Sequence, residues 1–427
     1  VPRKNVFVVG LDDANLVQLR RIAHADRYAF HALYRKQEVK GASFPVRMIL
    51  EDGPRRLDAF DGPVDAIVGY WDFPVSTVLP ILRRHCGLPS PSLESVLKCE
   101  HKYWSRCEQA SAIPDHVPPV QAIDPFADDV METLQLDYPF WIKPVKSVLS
   151  HLGFRISDEP SLRHALAAIR AGIDRYGEPF NEVLERADLP PPIAAVDGYH
   201  CIAEGIISAG RQVTVEGYVL DGQTQVYGTV DSVREGPHQS SFSRYQYPSS
   251  LPDSVTQRRA MIAARFFRHI GFDHSPFNIE FYWNPADDGI YLLEVNTRVS
   301  KSHSPLFEMV DGCSHFQVMV QVALGERPDF IQGDGEHAVA AKFMLRRDRD
   351  ARVTRVPAGA DIARVQARFP GTLIETYVSP GMRLSAMHDQ DSYSYEVAAL
   401  FMGAASEAEL LQNYAAAVEM LPFGYEE

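Results

Sequence analysis

The residue types best suited to chemistry lie together in FNIEFYWNPADDGIYLLEVNTRVSKSH, between Phe277 and His303. Glu280 falls inside an apolar strand pattern and Glu294 inside the next one, with Asn296 and Arg298 following at steps of two. In an extended segment that period sets Glu294, Asn296 and Arg298 on one face. If the two strands form a hairpin through NPADDG, Glu280 can face the same place. Two carboxylates and an amide oxygen are hard ligands suited to Mg²⁺, with substrate phosphates completing the shell. An adjacent arginine can clamp a phosphoryl oxygen with two parallel hydrogen bonds. The plain alternative is a hairpin with solvated carboxylates and a surface arginine. The strongly apolar flanks weigh against it, because burying unpaired charge is costly.

The elements that must position these residues follow from the patterning. VFVVG (Val6 to Gly10) reads as a buried strand, Asn15 to Ala25 as a helix, AIVG (Ala66 to Gly69) as a second strand and Val75 to His85 as another helix. This βαβα rhythm predicts a small parallel sheet with helices on its faces. No GxGxxG follows the first strand, so a dinucleotide fingerprint is absent. After the exit loop GLPSPSLES, a helix is expected through CEHKYWSRCEQA, a strand over Tyr138 to Val145 and helix from Ser161 to Leu184. DLPPPIAAVDG carries too many prolines for a helix. YHCIAEGII, RQVTVEGYVL and TQVYGTVD read as strands of an antiparallel sheet, and Asp253 to Ile270 as a helix. A helix over Ser314 to Leu324 follows, then strands and a strong helix at Ala405 to Met420. The fold class is therefore α/β with α+β, in two or three domains.

Composition narrows the partners. The 427 residues carry a net charge of −14, which argues against general nucleic-acid binding, since phosphate backbones need a basic surface. The five cysteines are scattered without a CxxC pair, so neither a disulfide framework nor a cysteine-rich zinc site is indicated and a cytoplasmic setting fits. VPRKNVFVVGLDD is a strand pattern and not a signal peptide. No apolar run reaches the roughly 18 residues of a membrane span.

The Glu280–Arg298 pattern resembles the closing motif of the ATP-grasp superfamily, and EVNTR is especially similar to the version in biotin carboxylases. The resemblance runs in register from about Ala66 to Gly325. It implies a Rossmann-like preATP-grasp domain over residues 1–98, an ATP-grasp domain over 99–330 with a lid at about 138–208, and a small α+β domain over 331–427. It implies that Lys102, at the start of a helix in HKYWSRCEQASAIPDHVPPV, and Lys143, in YPFWIKPV, reach the nucleotide phosphates. It assigns Glu204 and a backbone amide near Ile206 or Ile207 to the adenine edge, and Gln212 to the ribose. Glu280, Glu294 and Asn296 become the metal ligands. Glu216 and Asp231 are further candidates for contacting substrate or supporting residues that do. The phosphate loop of the family is usually glycine-rich; here VKSVLSHLG has only Gly153, so side chains of Lys146, Ser147, Ser150 or His151 stand where backbone amides would serve.

The activity implied is activation of a carboxylate as an acyl phosphate by ATP with Mg²⁺ (Mn²⁺ could replace it), followed by transfer to an amine. Arg298 would stabilise the phosphoryl and acyl-phosphate oxygens. Ser302 stands where biotin carboxylases carry a catalytic glutamate, and no biotinyl-lysine segment follows, which disfavours biotin carboxylation. A carboxylate–amine ligase resembling the L-amino-acid ligases fits better. Ser300, Lys301, Ser302 and His303 would then line the substrate pocket, with Lys301 neutralising a carboxylate or His303 assisting amine deprotonation. Specificity is expected on RVSKSHSP, HQSSFSRYQYPSS and SPGMRLSAMHDQD. The expected partners are a small carboxylate and an amine, with no nucleic acid or membrane, and a homodimer is compatible. Two alternatives stay open: another acid or nucleophile, such as bicarbonate or a thiol, and a nucleotide-binding module without turnover.

Overall fold

The computed structural model describes residues 2–41, 43–148, 151–235 (without the side chain of residue 235), 241–387, 390 and 393–427. The VFVVG run forms β1 (Lys4–Leu11), which lies between β2 (Tyr28–Arg35) and β3 (Ala66–Val68) in a parallel sheet. Its side chains alternate between two cores. Phe7 and Val9 pack with the helix Val75–His85, and Val6 and Val8 pack with Phe316, Met319 and Val320 of the helix Phe316–Ala323. Burial on both faces explains why the strand reads as a continuous apolar run.

The second sheet takes β4 (Val120–Ile123), β5 (Phe140–Pro144), β6 (Phe154–Ile156) and β7 (Cys201–Gly205), in the order β4-β7-β5-β6. Leu162, Ala165, Leu166 and Ile169 of the helix Glu159–Gly172 cover one face. YHCIAEGII therefore pairs here, and not with the two strands that follow it.

Those two strands open an antiparallel sheet of eight. It contains β8 (Arg211–Leu220), β9 (Gln223–Glu235), β10 (Ser241–Tyr247), β11 (Ser275–Asn284), β12 (Gly289–Asn296) and β13 (Val339–Arg347). β14 (Arg352–Arg355) leaves it, β15 (Leu373–Thr376) and β16 (Tyr395–Ala404) rejoin it, and β17 (Gly424–Glu426) pairs with β14. The order is β12-β11-β8-β9-β10-β13-β16-β15, so strands from 331–427 extend the sheet that carries β8–β12.

The helix Asp253–Ile270 packs one face of this sheet, with Phe266 and Phe267 against Phe277, Ile279 and Phe281. The intervening Asn278, Glu280 and Tyr282 line a cavity on the opposite face, as period-two alternation requires.

Local boundaries departed from the sequence reading where side chains intervene. The helix expected from Asn15 stops at Leu19. The helix through CEHKYWSRCEQA is two, Leu93–Glu100 and Lys102–Ala112. His101 breaks it: its backbone is extended, its Nδ1 accepts the Trp104 N–H and its Nε2 lies 2.7 Å from the Val196 carbonyl. The helix Glu159–Gly172 ends one residue before a second, Asp174–Leu184. The proline-rich loop does contain one turn of helix, Pro191–Ala194, with its prolines in the first turn where no N–H is required. Among the described residues no helix is long and apolar enough to cross a membrane.

Candidate functional site

Glu280 and Glu294 face each other directly across the β11–β12 hairpin. The register shifts just beyond them, where Phe281 pairs with Leu292 and Leu293 is the extra residue. This β-bulge does specific work. Ile290 and Leu292 have the same parity as Glu294, and in a regular strand all three would point the same way. With the bulge, Ile290, Leu292 and Val295 enter the core while Glu294 and Asn296 line the cavity.

The two carboxylates are held differently. Glu294 lies 3.0 Å from Lys102 Nζ. Burial works to raise its pKa, but Lys102 and Lys143 outweigh that and hold it below the ordinary value. Glu280 accepts a 2.6 Å hydrogen bond from Gln212 Nε2. Burial, with the charge of Glu294 beside it, pushes its carboxyl up to about 7. Two adjacent half-buried carboxylates, one of them reluctant to ionise, form a donor set whose repulsion a divalent cation relieves. Asn296 adds an amide oxygen 3.4 Å from Arg298, while its nitrogen donates to Asn278 at 3.0 Å. Among the described residues no group of three or more His, Cys, Asp and Glu side chains could hold a metal ion.

Lys102 begins its helix as expected; its Nζ also donates to the Ser147 carbonyl at 3.0 Å. Lys143 on β5 sits 2.5 Å from Glu204 on β7, and Arg106 donates to the other oxygen of Glu204 at 2.9 Å. Burial opposes ionisation of Glu204, but Arg106 and Lys143 prevail and hold it at about 2. Arg106 also donates to the carbonyls of Leu292 and Leu293 at 3.0 and 2.8 Å. It therefore ties the second sheet to the bulge that aims Glu294.

Arg298 donates to Asp72 at 2.6 Å and to the Val299 carbonyl at 3.3 Å, and its buried Nε has no hydrogen-bond partner among the described residues. An unmet buried donor is expensive unless a ligand supplies the acceptor. Asp72 also lies 3.4 Å from Lys146, which in turn pairs with buried Glu100, and Glu100 accepts from Thr297 Oγ1 at 2.8 Å. Asp72, Lys102, Lys143, Glu204, Glu280, Glu294, Asn296 and Arg298 line one cavity of about 1150 Å³.

Residues 239–330 match the family model described as the carbamoyl-phosphate synthase L chain, ATP binding domain. The chain is similar to the carbamoyl phosphate synthase large chain of Rubrobacter xylanophilus, 27% identical over 284 residues, or 66% of this chain and 24% of that one. It is 30% identical to urea amidolyase of Saccharomyces cerevisiae over 113 residues, or 26% of this chain and 6% of that one. It thus spans about a quarter or less of the length of these relatives. Among solved structures, the L-amino acid ligase from Bacillus licheniformis superimposes with a TM-score of 0.72, covering 100% of both chains at 14% identity. Biotin carboxylase from Campylobacter jejuni gives 0.61 at 15% identity, covering 99% of this chain and 92% of that one. The chain has the ATP-grasp fold.

In this ATP-grasp cavity the lining includes Lys102, Lys143, Glu204, Ile207, Gln212, Glu280, Glu294, Asn296, Arg298, Lys301 and His303. Ile206 is half-buried just past β7 and is absent from the lining. Gln212 is tied on three sides, by Glu280, by Tyr282 at 2.8 Å and by Arg234 at 2.7 Å. His303 is buried, with Nδ1 2.7 Å from Glu216. Burial, with Lys342 and Arg298 nearby, pushes its pKa down to about 3. Burial raises Glu216 to about 7.

Lys146, offered as a phosphate contact, is engaged by Asp72 and Glu100; Ser150 lies outside the described residues. Asp231 is bound by Arg211, Ser249 and Ser250 and reads as a structural anchor. The sequence reading missed Asp72, Glu100 and Arg106. Glu100 and Arg106 flank the Lys102 segment, and a charged residue on the buried side of an amphipathic helix was the available signal. Asp72 lies on a connection, where neither period applies.

Proposed function

We propose that the chain binds ATP with Mg²⁺ in this cavity and joins a small carboxylic acid to an amine, releasing ADP and phosphate. The observation that carries this reading is the Glu280–Glu294 pair across the bulge, with Lys102 and Lys143 beside it and an unmet Arg298 donor. The protein's share of the Mg²⁺ shell would be Glu280, Glu294 and Asn296, with substrate oxygens completing it. When bound, the ion neutralises phosphate charge that would repel an incoming carboxylate. Mn²⁺, with similar hard-ligand preference, should substitute.

Lys102 and Lys143 would turn towards the phosphates, exchanging part of their hold on Glu294 and Glu204 for the new anion. Glu204 and the backbone at Ile206 or Ile207 would meet adenine, and Gln212 a ribose hydroxyl. A carboxylate oxygen of the acid then attacks the γ-phosphorus, and ADP departs with the electron pair of the broken P–O bond. The amine attacks the acyl carbon of the resulting acyl phosphate. Phosphate leaves with the C–O electron pair, and the amine's proton passes to solvent or the departing phosphate. Arg298, fixed by Asp72, stabilises the oxygen on which charge gathers. Positioning and electrostatics suffice, and no covalent protein nucleophile is needed.

The structural likeness to an L-amino acid ligase supports amino acids as the first acids and amines to try. The match to a carbamoyl-phosphate synthase domain supports a second reading, with bicarbonate as the acid. Phosphate release should be measured with a panel of amino-acid pairs, with and without bicarbonate. Release requiring an acid and an amine together supports the ligase. Release that depends on bicarbonate alone favours the second reading. Mg²⁺-dependent ATP binding without release under any condition rejects both.

A further inference from the structure

Trp71, immediately after Tyr70 and before Asp72, is fixed by its indole N–H, which donates to the Gly10 carbonyl at 2.7 Å. Gly10 makes the close approach feasible: its φ is +82°, and a Cβ there would lie 2.7 Å from the Trp71 ring. Around this ring stand three ammonium groups, Lys36 at 4.9 Å from the centroid, Lys301 at 5.1 Å and Lys40 at 5.2 Å. Cation–π attraction holds each ammonium against the ring. It does not cancel their mutual repulsion.

All three line the same cavity as Glu280, Glu294 and Arg298. Other cavity lysines are balanced: Lys102 by Glu294, Lys143 by Glu204 and Lys342 by Glu396. Lys36 and Lys301 make no ion pair among the described residues. Glu375 is the cavity carboxylate whose charge acts most on Lys301, and it is engaged by the Tyr377 hydroxyl at 2.7 Å. Like charges gathered on a rigid aromatic platform, two of them without an ion pair among the described residues, make a site for an anion. Its place is next to the reaction centre: Trp71 adjoins Asp72, and Lys301 is close in sequence to Arg298, which Asp72 holds at 2.6 Å.

We propose that Lys36 and Lys301 beside Trp71 bind a carboxylate or phosphate group that one of the two substrates carries in addition to its reacting group. This rests on the ligase reading above and narrows its substrate class to acidic or phosphorylated amino acids and similar dianions.

The test measures phosphate release with matched amino acids that differ by one anionic group: L-glutamate against L-glutamine, L-aspartate against L-asparagine, and O-phospho-L-serine against L-serine. The anionic member of at least one pair should be preferred by about tenfold or more in kcat/KM, and the pair that shows it separates carboxylate from phosphate. Lys36→Gln should raise KM for that substrate about tenfold and leave kcat and the KM for ATP unchanged. Equal use of neutral and anionic members overturns the proposal. So does a Lys36→Gln variant that leaves substrate KM unchanged, or one that raises the KM for ATP, which would assign the lysines to the nucleotide. If none of these pairs gives release, the anion site is judged by binding alone, and the ligase reading is judged by the wider panel above. Saturable quenching of Trp71 fluorescence by the anionic members and not the neutral ones, lost in Trp71→Phe, upholds it; no quenching overturns it.

Discussion

At the hairpin end of the cavity Lys102 and Lys143 each rest on a carboxylate, and Arg106 locks Glu204 to the backbone of the bulge. At the Trp71 end Lys36 and Lys301 rest on an aromatic face with no ion pair among the described residues. At the first end the two lysines already have carboxylate partners before any ligand arrives. Its geometry is preorganised, and a phosphate entering it competes with partners already there. At the second end no carboxylate is ion-paired to Lys36 or Lys301 among the described residues, so under the proposal above an incoming anion would be their first such partner. A site that must hold the same nucleotide in every turnover gains from preorganisation. A site that selects a substrate gains from a charge that only the right substrate satisfies.

The largest effect should come from removing the carboxylate the bulge exists to aim. Glu294→Gln should reduce phosphate release by about a thousandfold or more, with the far-ultraviolet circular dichroism spectrum unchanged. Retained turnover would mean that the hairpin end is not the catalytic one. Lys143→Ala comes next. It should raise the KM for ATP by about a hundredfold and leave discrimination between glutamate and glutamine alone. A change in that discrimination would erase the distinction between the two ends.

A smaller effect is predicted on stability. Glu204 is held at about 2 against its ordinary value of 4.5, because Arg106 and Lys143 outweigh its burial. A carboxyl lowered in the folded state stabilises fully above its unfolded pKa and loses that contribution as pH falls. Between pH 4.5 and about 2 the protein should therefore lose on the order of 2 kcal/mol from this group. Urea denaturation midpoints at pH 5, 4 and 3 should fall steeply for the wild type and more shallowly for Glu204→Gln. Parallel slopes would show that the pair contributes no net stability.

The contrast between the two ends also explains what could be read from the sequence. The hairpin end is encoded in strands, where carboxylates at a fixed period among apolar residues stand out, and the likeness to ATP-grasp sequences named its lysines. Even there the bulge was hidden, although a trace of it is visible in IYLLEVN. The apolar positions run Ile290, Leu292 and then Val295, changing parity across Leu293. A reader who counted parity would have asked for an inserted residue. The Trp71 end was not legible. Lys36 and Lys40 follow β2, Trp71 follows β3 and Lys301 follows β12, so only the topology of two different sheets unites them. The four-stranded sheet was misread for a related reason. β7 and β8 are successive and both alternate, but strand pattern does not say which neighbour a strand chooses.

Asp72 stands between the two ends, and its removal should give the smallest and most discriminating effect. It follows Trp71, receives Arg298 at 2.6 Å and Lys146 at 3.4 Å, and takes its own register from the Phe73 N–H at 2.7 Å. Burial alone would raise its pKa, but Arg298 and Lys146 hold it well below the usual carboxylate range. Asp72→Asn keeps the shape and removes the charge. Arg298 then retains Asn296 at 3.4 Å and the Val299 carbonyl at 3.3 Å, contacts too weak to fix a guanidinium. If Asp72 serves the hairpin end by positioning Arg298, kcat should fall about tenfold while the KM values for ATP and for the anionic substrate stay near wild type. If it serves the Trp71 end instead, losing a negative charge beside the lysines should lower the KM for the anionic substrate and leave kcat intact. The two outcomes have opposite signatures, so one set of initial-rate measurements decides to which end of the cavity this carboxylate belongs.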